Sequence, residues 1–185
     1  MGLPKRITGR VWKLGNHINT DILHPSPYFS LNEARVNEGL VEGMERLGTE
    51  AKRNSPDEGI IIVAGENFGC GSSRETSVRG LRSFGVGGVV AKSFGRIFFR
   101  SLTNLGLPAL ECRDIQERVK DGNSVLLSIE EGWIELADKR RFPFSPIDTH
   151  IKKILEAGGL IPYLQKSCEK IQDSKPGRGG DSKTT

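Results

Sequence analysis

The stretch GIIIVAGENFGCGSSRE, residues 59–75, contains an apolar run, a glycine-rich loop and a polar segment that is typical of a helix start. The apolar run is continuous rather than alternating, which predicts a strand covered on both faces, as in a parallel sheet. Gly69 and Gly71 predict a loop over residues 65–71, and Ser72 predicts the start of a helix. This order of strand, loop and helix indicates an α/β fold.

The alternation of strands and helices continues on both sides of this stretch. The predicted strands are residues 9–14, 59–64, 86–91 and 108–112. A helix that begins at Ser72 has Val78 and Leu81 on its inner side, and the other predicted helices are residues 31–47, 94–105, 115–121, 149–157 and 160–170. Residues 125–129 and 133–136 predict an antiparallel hairpin. Pro25 and Pro27 predict an extended, non-helical segment over residues 24–29.

These elements predict one α/β domain with a mainly parallel core sheet flanked by helices. We expect the domain to occupy residues 1–171, since apolar positions at helical or strand spacing continue to about Ile171. Residues 172–185 contain almost no apolar side chains, so we expect a disordered tail there.

Composition limits the class of protein further. Of the 185 residues, 36% are hydrophobic and 27% are charged, as in soluble globular proteins. No apolar run approaches the ~18 residues that a membrane span needs, and the N-terminus has no signal-peptide pattern, so we expect a cytoplasmic protein without a membrane partner. The net charge of +4 comes from scattered basic residues, which argues against nucleic acid as a partner.

The cysteine pattern excludes a disulfide framework and a zinc site, because the chain has three cysteines at wide spacing. We expect Cys112 and Cys168 to be buried side chains in a reduced protein. Cys70 lies in the glycine-rich loop, but one cysteine cannot hold an iron–sulfur cluster. No metal is therefore expected in this chain.

The helix start at Ser72 has two interpretations. The first amides of a helix lack internal partners and lie at the positive end of its dipole, and the Arg74 guanidinium matches a carboxylate, so this segment could bind an anion. Ser72 followed by Glu75 is also the spacing of a capping box, in which the serine only caps the helix. The residues alone leave both open. They exclude a phosphate-binding P-loop, which needs a lysine, and a Gly-x-Ser-x-Gly nucleophile elbow.

Residues 65–75, GENFGCGSSRE, closely resemble the signature of the 3-isopropylmalate dehydratase small-subunit family, which is related to the swivel domain of aconitase. Three further regions are similar to that family in the same order: NTDILHP at 19–25, AKSFGRIF and NLGLP at 91–98 and 104–108, and ILEAGGL at 154–160. Together these regions extend over about residues 9–165. The resemblance implies an aconitase-swivel-like β/β/α domain.

The resemblance also implies a hydro-lyase subunit that is active only with a large subunit. In this family the large subunit holds a [4Fe–4S] cluster, one iron of which acts as a Lewis acid on the substrate, and the small subunit binds no cofactor. The implied substrate is a 2-hydroxy dicarboxylate such as 3-isopropylmalate, and the implied pathway is leucine biosynthesis.

By the same resemblance, Ser72 is the catalytic base that removes a proton from the carbon next to a substrate carboxylate. A serine acts as a base only where fixed donors and positive charge stabilise its alkoxide, and a helix start beside an arginine provides both. The other implied substrate-binding residues are Ser73, Arg74, Gly71, Thr20 and Asp21.

The resemblance implies that a specificity segment, residues 28–31, selects the substrate side chain. The family commonly has Tyr-Leu and two variable residues there, and this chain has Tyr28, Phe29, Ser30 and Leu31. Phe29 replaces the usual leucine, and the basic residue of some members is absent. Methylmalate or citraconate, homoaconitate and dimethylmalate are therefore alternative substrates to 3-isopropylmalate.

A second departure is Thr76-Ser77, which stands where the family usually has His-Ala. It supports an alternative function, a non-catalytic anion-binding module that kept the loop and lost the chemistry. RNA binding is a third hypothesis, against which the chain lacks a combined aromatic and basic motif. His17 and His24 could contact substrate, although ordinary loop histidines are the simpler interpretation.

Overall fold

The computed structural model describes residues 3–49, 59–71 and 75–173, and within these ranges seven strands form one sheet. The strands are β1 (Arg6–Lys13), β2 (Gly59–Ala64), β3 (Val86–Ala91), β4 (Ala109–Glu111), β5 (Ser124–Ser128), β6 (Trp133–Leu136) and β7 (Arg141–Pro143).

Helices connect the parallel strands and follow the last strand. They are α1 (Thr20–Leu23), a 3₁₀ helix (Ser26–Tyr28), α2 (Glu33–Arg46), α3 (Glu75–Ser83), α4 (Arg96–Asn104), α5 (Thr149–Ala157) and α6 (Leu160–Asp173). Polar side chains cap α1, α2 and α5: Asn19 Oδ1 accepts the Asp21 amide at 2.8 Å, Asn32 Oδ1 accepts the Ala34 amide at 2.9 Å, and Asp148 Oδ1 accepts the His150 amide at 2.8 Å.

The sheet has a parallel half and an antiparallel half that share β1. The strand order is β4-β3-β2-β1-β5-β6-β7, in which the first four strands are mutually parallel and the last three are antiparallel to their neighbours. The predicted hairpin is confirmed by the pairing of β5 with β6. The predicted fold class, an α/β domain whose parallel core strands are flanked by helices, is also confirmed.

Two hydrophobic clusters cover the two faces of the parallel strands. Ile60 and Ile62 of β2 lie in a cluster with Leu40 of α2, whereas Ile61 lies in a cluster with Leu127 of β5. The sheet therefore curls so that its antiparallel half covers the face that the helices leave open. Burial on both faces explains why the run at residues 60–64 is continuously apolar.

One predicted helix is wrong. Residues 115–121 form turns rather than a helix, although Ile115 and Val119 are both buried with the spacing that suggested one. The segment is instead tied to β1, since Lys13 Nζ donates to the Val119 carbonyl at 2.9 Å and Asp121 Oδ1 accepts the Lys13 amide at 2.8 Å. Two apolar anchors four residues apart fit a packed loop as well as a helix.

Smaller differences concern prolines and cysteines. Residues 26–28 form a 3₁₀ turn rather than an extended segment, because the fixed φ of proline suits a first helical turn. Cys112 is buried as expected, whereas Cys168 is exposed on α6, so that expectation was wrong. The short strand β7 was not predicted.

The C-terminal part agrees with the predicted helices, and α6 continues to Asp173. Residues 174–185 lie outside the described residues, so the predicted tail and domain boundary stay predictions. Within the described ranges, none of the helices combines the length and the apolar character that crossing a membrane requires.

Candidate functional site

Three loops meet at the carboxyl edge of the parallel strands. They follow β1, β2 and β3 and consist of residues 14–20, 65–71 and 92–95. The carboxyl ends of neighbouring parallel strands lie at one edge of the sheet, which is where α/β proteins bind their ligands. The glycine-rich loop, residues 65–71, lies between the other two loops and is hydrogen-bonded to both.

The main chain of the glycine-rich loop is hydrogen-bonded to the neighbouring loops almost residue by residue. Five consecutive amides donate inside the protein: Gly65 to Gly15 O (3.0 Å), Glu66 to Asn16 Oδ1 (2.9 Å), Asn67 to Ser93 Oγ (2.8 Å), Phe68 to Ser93 O (2.9 Å) and Gly69 to Ile18 O (2.9 Å). Loop carbonyls accept from both sides, with Thr20 N to Cys70 O at 2.9 Å and Gly95 N to Phe68 O at 2.8 Å. The amides of residues 65–69 are therefore not available to a ligand.

Two glycines allow the loop to follow this path. Gly69 has φ +77°, and a Cβ there would lie 2.1 Å from Phe98 Cδ1. Gly71 has φ +106°, and a Cβ there would lie 2.3 Å from Asn19 Oδ1. Both positions thus combine a left-handed conformation with close packing, which only glycine accommodates. Gly71 itself is exposed, so the loop leaves the interior at this residue.

The residues that follow Gly71 are those that the sequence singled out. Ser72, Ser73 and Arg74 lie outside the described residues, and so does the predicted helix start at Ser72. The described part of α3 begins at Glu75, which is exposed. The choice between a capping and a substrate-binding serine therefore stays a prediction.

Thr76 and Ser77 occupy the first turn of the described helix α3. Ser77 is fully buried and Thr76 is half-buried, and neither hydroxyl oxygen has a hydrogen-bond partner among the described residues. The departure from the family's usual His-Ala thus faces the protein interior at Ser77.

Thr20 and Asp21 lie next to the glycine-rich loop. Asn19 forms a β-bridge with Cys70, and its Oδ1 accepts the Asp21 amide at 2.8 Å, which caps the short helix α1. Thr20 has only 1% of its surface exposed, whereas Asp21 is exposed. Their roles as substrate-binding residues stay predictions, and the burial of Thr20 favours a supporting role.

The specificity segment is held against α2 by side chains. The Arg35 guanidinium lies 5.7 Å from the centre of the Tyr28 ring, and a hydrogen bond from Tyr28 to Glu42 raises the pKa of the phenol. The Phe29 ring stacks on His24, with ring centres 5.4 Å apart and planes 4° apart.

The last two residues of the segment differ in exposure. Ser30 Oγ accepts the Asn32 amide at 3.0 Å, just before α2 begins. Leu31 is 90% exposed, and its carbonyl accepts a hydrogen bond of 3.4 Å from Arg79. Leu31 is thus the large apolar side chain that this segment presents to solvent.

The histidines and two arginines of α3 lie at different depths. His24 lies in the loop after α1, as the interpretation of a loop histidine has it, and it is completely buried. His17 and His150 are exposed. Arg79 is half-buried, and Arg82 is exposed and donates to the Leu105 carbonyl at 2.7 Å. Sequence reasoning missed the depth of His24, for which the available signal was its position between apolar Leu23 and Pro25.

Beside the site, Lys92 is neutralised by an ion pair. Its Nζ bonds to Glu117, which raises the pKa of the lysine and lowers that of the glutamate. Lys92 directly follows β3, and its amide donates to the Gly65 carbonyl at 3.1 Å. The main chain of Lys92 therefore connects the loop after β3 to the glycine-rich loop. Its paired side chain adds little positive charge to the carboxyl edge of the sheet.

The described residues offer no donor set for a metal ion or an iron–sulfur cluster. Within residues 3–49, 59–71 and 75–173, no three His, Cys, Asp or Glu side chains are grouped closely enough to bind a metal. Cys70, Cys112 and Cys168 are separate free thiols. A cluster would need several thiolates at one place, and these three do not fit it.

Comparison with known proteins gives the class. A family model for the aconitase C-terminal domain matches residues 27–114, which include β2, the glycine-rich loop and β3. Fold and matched residues together define a domain of the aconitase C-terminal type.

Relatives with high coverage give the particular family. The chain is 39% identical over 170 residues to the isopropylmalate/citramalate isomerase small subunit of Methanocaldococcus jannaschii, covering 90% of this chain and 98% of that one. It is 40% identical over 161 residues to the 3-isopropylmalate dehydratase small subunit of Halothermothrix orenii, covering 86% and 96%. The crystal structure of the 3-isopropylmalate dehydratase chain from M. jannaschii superposes with a TM-score of 0.80 at 35% identity, covering 92% and 99%.

The chain therefore belongs to the 3-isopropylmalate dehydratase small-subunit family. The predicted family, its fold and its class of activity, a hydro-lyase subunit, are confirmed.

Proposed function

We propose that this chain is the small subunit of a hydro-lyase that isomerises or dehydrates a 2-hydroxy dicarboxylate, with 3-isopropylmalate as the leading substrate and leucine biosynthesis as the pathway. The observation that carries the proposal is the glycine-rich loop, whose main chain is fixed between two other loops and leads outward at Gly71 into Ser72. The names of the relatives support the substrate.

In this proposal Ser72 is the base, and Ser73 and Arg74 bind a substrate carboxylate. The amides of residues 65–69 already donate hydrogen bonds inside the protein. The main-chain amides that we assign to an anionic substrate are therefore those of Cys70, Gly71 and the residues that follow them. A rigid loop keeps these donors in place before the substrate arrives, so little reorganisation is needed when negative charge develops. Arg74 suits a carboxylate because its guanidinium offers two parallel donors.

Asp21 and Thr20 have different proposed tasks. The Asp21 carboxylate would repel a substrate carboxylate, so it suits the substrate hydroxyl or the Arg74 guanidinium instead. Thr20 is buried and its amide donates to Cys70 O at 2.9 Å, which supports a role in holding the loop exit beside the substrate.

The cofactor belongs to the partner in this proposal. The described residues do not fit a [4Fe–4S] cluster, which supports its placement on a large subunit, where it would supply Lewis acidity toward the substrate hydroxyl. The words "small subunit" in the relatives' names support a large-subunit partner. We also propose a cytoplasmic location and no membrane or nucleic-acid partner.

The specificity segment favours an aliphatic substrate side chain. Tyr28, Phe29 and Ser30 are engaged with α2, with His24 or with the start of α2, whereas the exposed Leu31 offers an apolar contact. An isopropyl or methyl group matches this contact, and the second carboxylate arm of homoaconitate does not. The M. jannaschii relative, whose name includes citramalate, supports a methyl-substituted substrate as the second candidate.

The decisive experiment is a hydratase assay on the chain co-expressed anaerobically with a cluster-bearing large subunit. Isopropylmalate, citraconate, homocitrate and dimethylmalate are supplied in parallel, and the enoate absorbance is followed. We expect turnover of isopropylmalate by the complex and none by either chain alone.

Ser72→Ala then tests the proposed base. We expect turnover to fall at least about 100-fold, as loss of a general base commonly does, with subunit association unchanged. Ser145→Ala is the matched control, because Ser145 is exposed and its amide, which the substitution keeps, donates to the Glu111 carbonyl of β4 at 2.7 Å. Wild-type turnover by the Ser72→Ala complex would overturn the base assignment. No turnover of any of the four acids by a complex with an intact cluster would favour the non-catalytic module.

A further inference from the structure

His24 is buried at the junction of three elements. It follows α1 as its C-terminal cap and has none of its surface exposed. Two helices approach it through glycines: a Cβ at Gly39 of α2 would lie 3.0 Å from His24 Nε2, and a Cβ at Gly80 of α3 would lie 3.4 Å from His24 Cδ2. The ring is therefore close to α2 where Gly39 lacks a side chain, whereas a Cβ at Gly80 of α3 would make only an ordinary contact with it.

Hydrogen bonding defines the protonation state of the ring. His24 Nε2 lies 2.9 Å from the Val36 carbonyl oxygen, which only accepts, so Nε2 carries the hydrogen. Nδ1 is buried and has no hydrogen-bond partner among the described residues. A second proton on the ring would therefore create a buried charge, which is costly. Burial accordingly lowers the pKa of His24, against smaller opposing effects of the Val36 carbonyl and of the backbone of His24 itself.

The charged groups around this junction are engaged elsewhere. On α2, Arg35 lies over the Tyr28 ring and Glu42 bonds to Tyr28, while Glu38 is exposed. On α3, Arg79 donates to the Leu31 carbonyl at 3.4 Å. Arg35, Glu42 and Arg79 thus contact the specificity segment or the residues beside it on the solvent-facing side. His24 contacts the same segment on its buried side.

The contact between His24 and the specificity segment is the stack on Phe29, with ring centres 5.4 Å apart. Phe29 stands two residues before the exposed Leu31. A shift of the Phe29 ring would therefore move the side chain that we assign to the substrate.

We propose that His24, as a neutral ring, is a positioning residue for substrate selection: it sets the place of the specificity segment relative to α2 and α3. This inference rests on the proposed function, because it concerns how that site recognises the substrate side chain. His24 does not touch substrate, and its effect reaches the site through Phe29.

The test compares His24→Leu with His24→Phe in the assembled enzyme. Both variants remove the hydrogen bond and the titration, and only Phe restores a ring for the stack. We expect His24→Leu to raise KM for the branched substrate about two- to ten-fold, the range expected for losing one aromatic pair, with kcat nearly unchanged. His24→Phe should restore most of the wild-type KM. His150→Leu, at an exposed histidine of α5, is the control.

Each outcome of these assays either supports or overturns the proposed role of His24. Equal KM and equal substrate preference in wild type and in a folded His24→Leu complex would overturn the proposal. If His24→Leu does not fold, Phe29→Leu removes the stack from the other side and should raise KM by the same factor. If the wild-type complex turns over none of the acids, the proposed function fails instead.

A measurement without substrate tests the ring itself. Nitrogen NMR of the full chain over a pH series should show His24 taking up its proton at a lower pH than an unperturbed imidazole does, with the hydrogen of the neutral ring on Nε2. Protonation of His24 at the pH of an unperturbed imidazole or above, or a neutral ring with its hydrogen on Nδ1, would contradict the inference even if the enzyme proved active.

Discussion

We assign the glycine-rich loop and the specificity segment to one site, but the structure holds them in different ways. The loop is fixed by its main chain, through five consecutive amides and the positive φ of Gly69 and Gly71. The specificity segment is fixed by side chains, namely Tyr28 against α2 and Phe29 against His24. Three of the five amides, those of Gly65, Phe68 and Gly69, donate to main-chain carbonyls, so these bonds do not depend on which side chains are present. The other two need the Asn16 and Ser93 side chains, and each contact of the specificity segment likewise changes with a substitution.

This difference suits the two tasks that we propose. The loop must bring the reacting serine to one fixed place, because a displacement of about 1 Å can cost a large part of the rate. The specificity segment must fit one substrate side chain, and a few substitutions there can adjust the fit without disturbing the chemistry. Breaking each kind of support should therefore have distinct consequences.

The largest effect is expected from Gly69→Ala, which breaks the main-chain support. The added Cβ would lie 2.1 Å from Phe98 Cδ1 in a residue with φ +77°. Overpacking and left-handed strain together should lower the free energy of unfolding by about 3–5 kcal/mol and abolish turnover. Urea denaturation of the full chain measures the first effect.

Gly122→Ala is the matched control for this change. Gly122 has φ +76°, and a Cβ there would meet no atom within 4 Å. It should cost only the strain of the left-handed conformation, about 1–2 kcal/mol. Equal costs at the two glycines would mean that close packing against Phe98 does not hold the loop.

A smaller effect is expected from Gly39→Ala, which disturbs the packing of Tyr28 against α2. The added Cβ would lie 2.4 Å from Tyr28 Cβ, while alanine gains about 1 kcal/mol of helix propensity. We expect a net loss of about 1–2 kcal/mol in unfolding free energy, together with a changed preference among the four acids.

Gly80→Ala provides the comparison for Gly39. At Gly80 of α3 the nearest atoms would be 3.4 Å away, an ordinary contact, so the variant should be neutral or slightly stabilising. Unchanged substrate preference in a folded Gly39→Ala complex would show that substrate selection does not depend on the packing of Tyr28 against α2.

The smallest effect is expected from Asn67→Gly within the glycine-rich loop. Asn67 has φ +54°, and its side-chain amide is 3.4 Å from His17 Nδ1, a long contact at the surface. Glycine accepts this conformation without strain, so unfolding free energy and turnover should stay within about 0.5 kcal/mol of the wild-type values. A large loss in either measurement would mean that this side chain supports the loop.

The sequence predicted the parallel half of the fold because its signals are local. The run at residues 60–64 is apolar at every position, and Ile60 and Ile61 do lie in two different clusters. Local spacing failed at residues 115–121, where Ile115 and Val119 are anchored by contacts with β1 that periodicity does not report. The strand β7 has only three residues and ends in a proline, so it gave no pattern.

At the site, composition and resemblance identified the loop but not how it is held. The anion-pocket interpretation concerned the first amides of the helix predicted at Ser72, and it gave no sign that the amides of residues 65–69 are bonded to loops that are distant in sequence. The burial of His24 likewise comes from packing against α2 and α3, whose residues Gly39 and Gly80 follow it by 15 and 56 positions in the numbering. Only tertiary structure brings such residues together.

The central position of β1 has a consequence for folding. β1 pairs with β2 on one side, as in Gly9 with Gly59, and with β5 on the other, as in Arg6 with Ser128. During synthesis this strand keeps one unpaired edge until residues 124–128 have emerged, and such edges promote association between chains. A chain that ends before β5 should therefore aggregate, although every loop of the candidate site has already been made.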